Sequence, residues 1–245
     1  MKIIYGGTTW NFPTLSRVKK RSYDVRNNEV KRAFSHGAIE NGDGKIESRI
    51  IEVESLLDAA SESAFLTLAD AIHAAVYRRD YKLFLEDTRY INVSALDKFN
   101  QEYSDGYITR AKVTMAFRCC DPFFYALTQT SAVQAASASP FQFTVNNPGT
   151  VDTPLTVTFS PAAAAADIKL TNVTDGGRAF TYKDTLLISP AETTVNGATG
   201  TVYRGSSNSI NAFTGTFLKL LPGDNVLKYE GAAGNITTAF TARYL

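Results

Sequence analysis

The sequence predicts a mainly β protein, an α+β N-terminal domain followed by a β-sandwich. Three observations carry this. Hydrophobic residues alternate with polar ones in many short runs, the period-2 pattern of half-buried strands. Only one segment, beginning at Ser61, sustains a helical period. Charged residues are dense up to about residue 130 and sparse after it, which suggests two domains. At 245 residues the chain is long enough for each to close its own core.

Residues 1–57 read as short strands broken by turns. Ile50, Glu52 and Glu54 alternate with Ile51, Val53 and Ser55, leaving one face solvated. The preceding GAIENGDGKIES holds three glycines and reads as a loop between strands. Ser61 can cap the helix, and Phe65, Leu68, Ala69, Ile72, Ala75 and Val76 build one apolar stripe. Glu62 near its start and Arg78 and Arg79 near its end suit the helix dipole. A lone amphipathic helix must lie on something, and strands are the only candidates nearby. YKLFLE and YINVSAL, separated by DTR, read as a hairpin. In residues 107–118, Tyr107, Ala111, Val113, Met115 and Phe117 fall on one face, and Arg110, Lys112 and Arg118 on the other. Asp121-Pro122 then stops the strand, because proline lacks the donor a ladder needs.

TQTSAVQAASASP, residues 128–140, is small and polar and reads as a connector. The expected division is a domain at 1–127, a linker at 128–140 and a domain at 141–245. The second domain holds FQFTV, LTVTF, IKLTNV, TLLIS, FLKLL, VLKYE and ITTAFTARY, short strands separated by Gly, Asn, Asp and Pro. That regular spacing indicates a β-sandwich or jelly roll. LPGD at 221–224 fits a type II turn, with Pro222 setting φ and Gly223 supplying the positive φ. The five alanines after Pro161 read as a loop, and GAAGN at 231–235 as a hairpin loop.

Net charge is +1, so no global field recruits nucleic acid or an anionic membrane. The one basic cluster, RVKKR at 17–21, is followed by Asp24 and Glu29 and reads as a solvated face or subunit contact. Cys119 and Cys120 are adjacent, and neighbours in a strand point to opposite faces, so they read as one buried and one partly exposed thiol. Folding in a reducing cytosol is expected. MKIIYGGTTW lacks the apolar run of a secretory leader, and no run approaches 18 apolar residues, so no membrane span is expected. The N-x-S/T triplets at Asn92, Asn172 and Asn235 read as chance.

No motif for chemistry emerges. His36 and His73 are the only histidines, without metal-ligand spacing. ENGDGKIE briefly suggests a calcium loop around Asp43-Gly44, but places Ile39 and Ile50 where carboxylates belong. No G-x-S-x-G elbow exists. Glu52 and Glu54 read as cross-strand charge partners rather than as a catalytic pair. No catalytic residue, cofactor or metal is therefore expected. Tyr182, Tyr203 and Tyr229 are candidate stacking residues for sugar (Trp10 lies outside this domain), so the alternative function is a carbohydrate-binding module for host surface glycans.

The order of motifs resembles the distal tail (Dit) protein family of siphophages. KVTMAFRCCDPFFY at 112–125 is similar to the strand closing that family's first domain. HGAIENGDGKIESRIIEVESLL resembles its glycine-containing loop feeding a strand with an early arginine, here Arg49. FTVNNPGTVDTPLTVTF at 143–159 resembles the opening of its sandwich, and LLPGDNVLKYEG at 220–231 its closing hairpin. The doubled cysteine and the alanine run depart from the pattern. The resemblance implies a split-barrel-like first domain and a galectin-like sandwich. It implies a structural virion protein, not an enzyme, at the distal end of the tail. Six N-terminal domains would form a homohexamer ring around a channel, joining the tail tube protein to the hub and adsorption apparatus. Phage DNA would pass through without specific binding, and the second domain would dock side-fibre or receptor-binding components. The resemblance assigns no individual residue to the ring contacts or the channel.

Overall fold

A computed structural model describes residues 1–164, 167–188 and 191–245. The chain is mainly β with one α-helix among the described residues, and it divides into two compact units, Met1–Phe124 and Tyr125–Leu245.

In the first unit the alternating runs become β1 (Lys2–Tyr5), β2 (Thr8–Asn11), β3 (Ser16–Val25), β4 (Glu29–Lys31), β5 (Ala38–Glu40) and β6 (Ile46–Asp58). The helix α1 (Glu62–Val76) follows, then β7 (Arg79–Phe84), β8 (Arg89–Tyr103) and β9 (Arg110–Cys119). The main sheet runs β2-β1-β7-β8-β9-β6-β3, with antiparallel pairs throughout. Ile51, Val53, Leu57, Val113, Met115 and Phe117 are fully buried, so the alternating pattern predicted the inner face.

Ser61 caps α1 by accepting from the Ala64 N–H at 3.3 Å. Phe65, Ala69, Ile72, Ala75 and Val76 are buried, and the Phe65 and His73 rings meet Tyr103 and Phe99 of β8. Each fully buried large side chain contributes about 1.5–3 kcal/mol. The helix stops where its apolar stripe stops, before the arginines expected in its last turn. It ends at Val76, and Arg79 opens β7 instead of extending the last turn. Tyr107 also departs from its expected face, lying exposed in the turn before β9.

β4 and β5 form a separate two-stranded ribbon, whose second strand lies inside the segment expected as loop. Its base is tight: Arg26 N–H donates to Lys45 O at 2.8 Å, and Gly44 N–H to Arg26 O at 3.3 Å. A Cβ on Gly42 would lie 2.3 Å from Arg26 O, so only glycine fits there.

The boundary between the units falls within β10 (Phe124–Ala126), whose Ala126 N–H donates to Ala242 O. Then come β11 (Thr130–Ala136), β12 (Phe141–Asn147), β13 (Thr153–Pro154), β14 (Thr156–Pro161), β15 (Asp167–Asn172) and β16 (Arg178–Lys183). They are followed by β17 (Thr193–Asn196), β18 (Thr201–Arg204), β19 (Ser207–Asn208), β20 (Phe213–Gly215), β21 (Lys219–Leu220), β22 (Gly223–Gly231), β23 (Gly234–Phe240) and β24 (Arg243–Tyr244). One sheet runs β11-β23-β14-β17-β18-β19 and the other β12-β22-β15-β16-β20. Val157, Phe159 and Ile236 of the first share one core with Leu170, Phe180, Leu227 and Tyr229 of the second. This is a β-sandwich. Phe159 and Tyr229 stack across it with ring centroids 5.4 Å apart.

Four readings change in this unit. Residues 128–140 are not a free connector, because Thr130–Ala136 is a strand paired along its length with β23. TLLIS is not a strand: residues 185–188 lie in a turn and irregular chain, and Ser189 falls outside the described residues. GAAGN joins β22 to β23, which belong to different sheets, so it is a corner between sheets and not a hairpin loop. LPGD likewise links β21 to β22, which pair with other strands, although Gly223 has the expected positive φ of 87°. Of the alanine run, Ala165 and Ala166 lie outside the described residues.

Candidate functional site

The residues singled out for chemistry do not converge. Among the described residues, no three His, Cys, Asp or Glu side chains are grouped to hold a metal ion. His36 is exposed in the ribbon, while His73 packs on the Phe99 ring at 4.1 Å between centroids. Asp43 in the calcium-like loop faces Lys45 at 3.6 Å and Arg26 at 3.7 Å, and its carboxyl also accepts the Lys45 N–H. Those partners, the backbone bond first, hold its pKa below the ordinary value.

Charge on the first unit is organised across strands. β6 lies between β3 and β9, so Glu54 meets Arg17 at 2.7 Å on one side and Lys112 at 3.1 Å on the other. Hydrogen bonds from Lys112 and Arg17 keep the Glu54 carboxyl below the usual carboxylate range. Glu52 pairs with Lys19 at 4.0 Å, and Arg21 with Glu86 at 3.0 Å. The basic cluster is therefore an edge-strand face, and three of its four cations have carboxylate partners.

Arg49 is only 3% exposed. Its guanidinium lies 4.9 Å from the Tyr23 ring centroid and 5.1 Å from that of Phe124, so two aromatic rings flank the charge. Its Nε and Nη2 have no hydrogen-bond partner among the described residues, and burial pulls its pKa down. Arg49 ties β3 and β6 to the aromatic run after β9. Cys119 beside it is buried, which pushes its thiol up to about 12, whereas Cys120 is exposed.

A cavity of about 190 Å³ opens between the β1–β2 hairpin and α1, lined by Tyr5, Trp10, Ala71, Ala75 and Arg78 among others. Arg78 stands 4.8 Å over the Tyr5 ring. Sequence reasoning missed it, since nothing local pairs residues 5–10 with residues 71–78. The ribbon is the other conspicuous surface. All six of its strand residues are exposed, and Phe34 at its turn is wholly exposed with φ of 59°.

In the sandwich, two of the three candidate stacking tyrosines are core: Tyr182 and Tyr229 are 0% and 2% exposed. Tyr182 Oη donates to Asp184 at 2.7 Å, and Tyr229 Oη to Ala232 O at 2.7 Å. Burial tends to raise the Asp184 pKa, but hydrogen bonds from Tyr182, the Leu186 N–H and Arg204 outweigh it. The motif asparagines act as internal clamps. Asn147 donates to Leu220 O and Val151 O, each at 3.2 Å, and accepts the Gly149 N–H at 3.0 Å. Asn225 accepts the Leu221 N–H at 2.9 Å and donates to Leu221 O at 2.8 Å, so one amide replaces a partner strand beside the LPGD turn. Asn172 donates to Lys219 O at 2.9 Å and to Asn225 Oδ1 at 3.2 Å. All three are buried and supplied with partners.

Asn147 and Asn225 sit in the segments 143–159 and 220–231 whose order resembled a tail-protein sandwich, and Asn172 joins them from β15. Residues 148–244 match the family model of siphovirus-type tail components, C-terminal domain. The solved SPP1 Dit protein (gp 19.1), described as a paradigm of the hub adsorption apparatus in phages infecting Gram-positive hosts, superposes on the chain with a TM-score of 0.76. It covers 100% of this chain and 99% of that one at 16% identity, so the likeness is one of fold. The phage P2 baseplate in its activated conformation with Ca gives 0.45 at 10% identity, over 98% and 97% of the two chains, and carries no argument. Among curated proteins, none matches the sequence. Residues 148–244 are thus similar to a siphovirus-type tail-component domain, and the whole chain shares the fold of SPP1 Dit.

Proposed function

We propose that this chain is a structural subunit of the siphophage tail tip, six copies of which close into a ring joining the tail tube to the hub. The observation that carries the reading is the end-to-end likeness to SPP1 Dit, together with the tail-component sequence of residues 148–244. The ring-forming part is the first unit, Met1–Phe124, and the second, Tyr125–Leu245, offers docking surface to side-fibre or receptor-binding components.

Physical features agree. A head-to-tail contact that closes makes a ring and needs two different surfaces on one chain. The ribbon supplies one: an isolated two-stranded ribbon is marginal in water, and this one exposes Val30, Phe34 and Ile39. Docking on the next copy would cover them. The balanced charge of the chain suits a conduit, because a strongly basic wall would hold DNA by counterion release. Nothing in this role calls for a reactive centre. The glycan-binding reading is weaker, since burial of Tyr182 and Tyr229 leaves only Tyr203 as a platform.

Electron microscopy of the purified chain, alone and with a tail-tube subunit, tests the proposal. Rings of six-fold symmetry with an open centre are expected. Single-copy particles under both conditions would sink it.

A further inference from the structure

The chain holds two Asn-Gly pairs, Asn41-Gly42 and Asn196-Gly197, in opposite surroundings. An asparagine before glycine is open to attack on its side-chain carbonyl by the next backbone nitrogen, because glycine has no side chain to shield that nitrogen. Asn196 is locked against this. Its Oδ1 accepts the Ala198 N–H at 2.9 Å and the Thr199 N–H at 3.2 Å, while the Gly197 N–H donates to Leu155 O at 3.0 Å. Asn41 lies exposed in irregular chain at the base of the ribbon. Among the described residues, neither its side-chain amide nor the Gly42 N–H has a hydrogen-bond partner. Nor can a bulkier, slower neighbour replace the glycine, since a Cβ there would meet Arg26 O at 2.3 Å and Asn27 Cα at 2.7 Å. The packing that closes the ribbon keeps the reactive pair in place.

We propose that Asn41 is a self-modification site, converted by Gly42 and water into aspartate and isoaspartate. The Gly42 nitrogen loses its proton to solvent base and bonds to Asn41 Cγ, and the side-chain amide leaves as ammonia. The product is a cyclic imide spanning the Asn41–Gly42 link, which water then opens. Cleavage of the new bond, Cγ to the Gly42 nitrogen, gives aspartate with the backbone unchanged. Cleavage between the Asn41 carbonyl carbon and that nitrogen gives isoaspartate, whose backbone runs through Cβ and Cγ. One water is consumed for each ammonia released, and nothing is oxidised or reduced. Either product places a new carboxylate beside Asp43. Isoaspartate also adds a backbone atom between the two bonds that pin this loop, Asn41 N–H to Asn28 O at 2.6 Å and Gly44 N–H to Arg26 O at 3.3 Å. That releases the ribbon at its base. With the ribbon as a ring contact, the modified chain closes rings less well, but the site itself does not rest on that contact.

Peptide mapping of the full-length chain, aged in mildly alkaline buffer with and without denaturant, tests the site. In the folded chain the peptide holding Asn41 should take up the mass of one amide-to-acid exchange at least about tenfold faster than the peptide holding Asn196, whose hydrogen bonds must first open. In denaturant the two should react alike. Isoaspartyl methyltransferase should label the aged chain at position 41, and Asn41→Gln should abolish that label. Hydrogen exchange on the aged fraction should show the Arg26 and Gly44 amides opened and those of β6 and β9 unchanged. Asn41 that stays an amide in the folded chain, or that converts there no faster than Asn196, overturns the proposal. Aged Arg26 and Gly44 amides as protected as fresh ones overturn the release of the ribbon. Rings are counted separately by native mass spectrometry: their absence from fresh chain contradicts only the ring, whatever the peptide map shows.

Discussion

The two units keep the polar groups of a β-rich body satisfied by different chemistry. The first spreads charge over strand faces, where Glu54 sits between Arg17 and Lys112. The second has few charges and instead buries Asn147, Asn172 and Asn225, whose amides replace missing ladder bonds. Ion pairs at a surface weaken with salt and acid, whereas neutral amides in the interior do not. Both units carry surface ion pairs, Arg204–Asp184 and Lys169–Glu230 among them in the second, but only the second adds buried amides that salt and acid leave untouched.

Substitutions can break or sharpen this contrast. The largest effect is expected in the sandwich core. Phe159→Ala removes the ring that stacks on Tyr229 and should cost about 3–5 kcal/mol. Chemical denaturation should show a separate transition moved for the second unit, while the transition of the first stays in place. Next is Asn225→Ala, which strands the Leu221 N–H and C=O beside the LPGD turn. A loss of about 2–3 kcal/mol is expected, equal in low and high salt. A loss that fades in high salt would remove the distinction between the units.

Glu54→Gln should have a smaller effect, confined to the first unit. Because the Glu54 carboxyl is depressed in the folded state, its contribution is present above the ordinary carboxylate range and vanishes as pH falls through the folded value. Melting curves should therefore show Glu54→Gln less stable at pH 7, with the two proteins converging as pH falls below the ordinary carboxylate range, or in 1 M salt. The smallest effect is chemical. A thiol reagent at pH 8 should label Cys120 and spare Cys119, giving one modified thiol per native chain by intact mass and two after unfolding.

Much of the fold was legible. The Phe65–Val76 stripe marked the helix, and the alternation in β6 and β9 marked which side chains are buried. β11 was not legible, because it buries only Ala136 fully and its small polar residues carry no hydrophobic period. GAAGN and LPGD were recognisable as bends, but which strands they join depends on pairing between distant segments. TLLIS has the composition of a strand, yet here only Leu187 is buried while Leu186 and Ile188 lie exposed. Asn147 and Asn225 lay inside quoted motifs, Asn172 in a plain strand run, and Arg49 was noted beside its glycine loop. Their roles depend on burial, which residue type alone does not disclose. The cavity beside Trp10 depends on a helix sixty residues away in sequence.

Native mass spectrometry of the intact chain and of a chain lacking the ribbon tip (residues 30–39) tests the central claim most directly. A species of six 26.7 kDa copies is expected for the intact chain, lost when the tip is removed, with melting of the remaining body unchanged. An intact chain that stays a single copy at every concentration, with and without a tail-tube subunit, would contradict it.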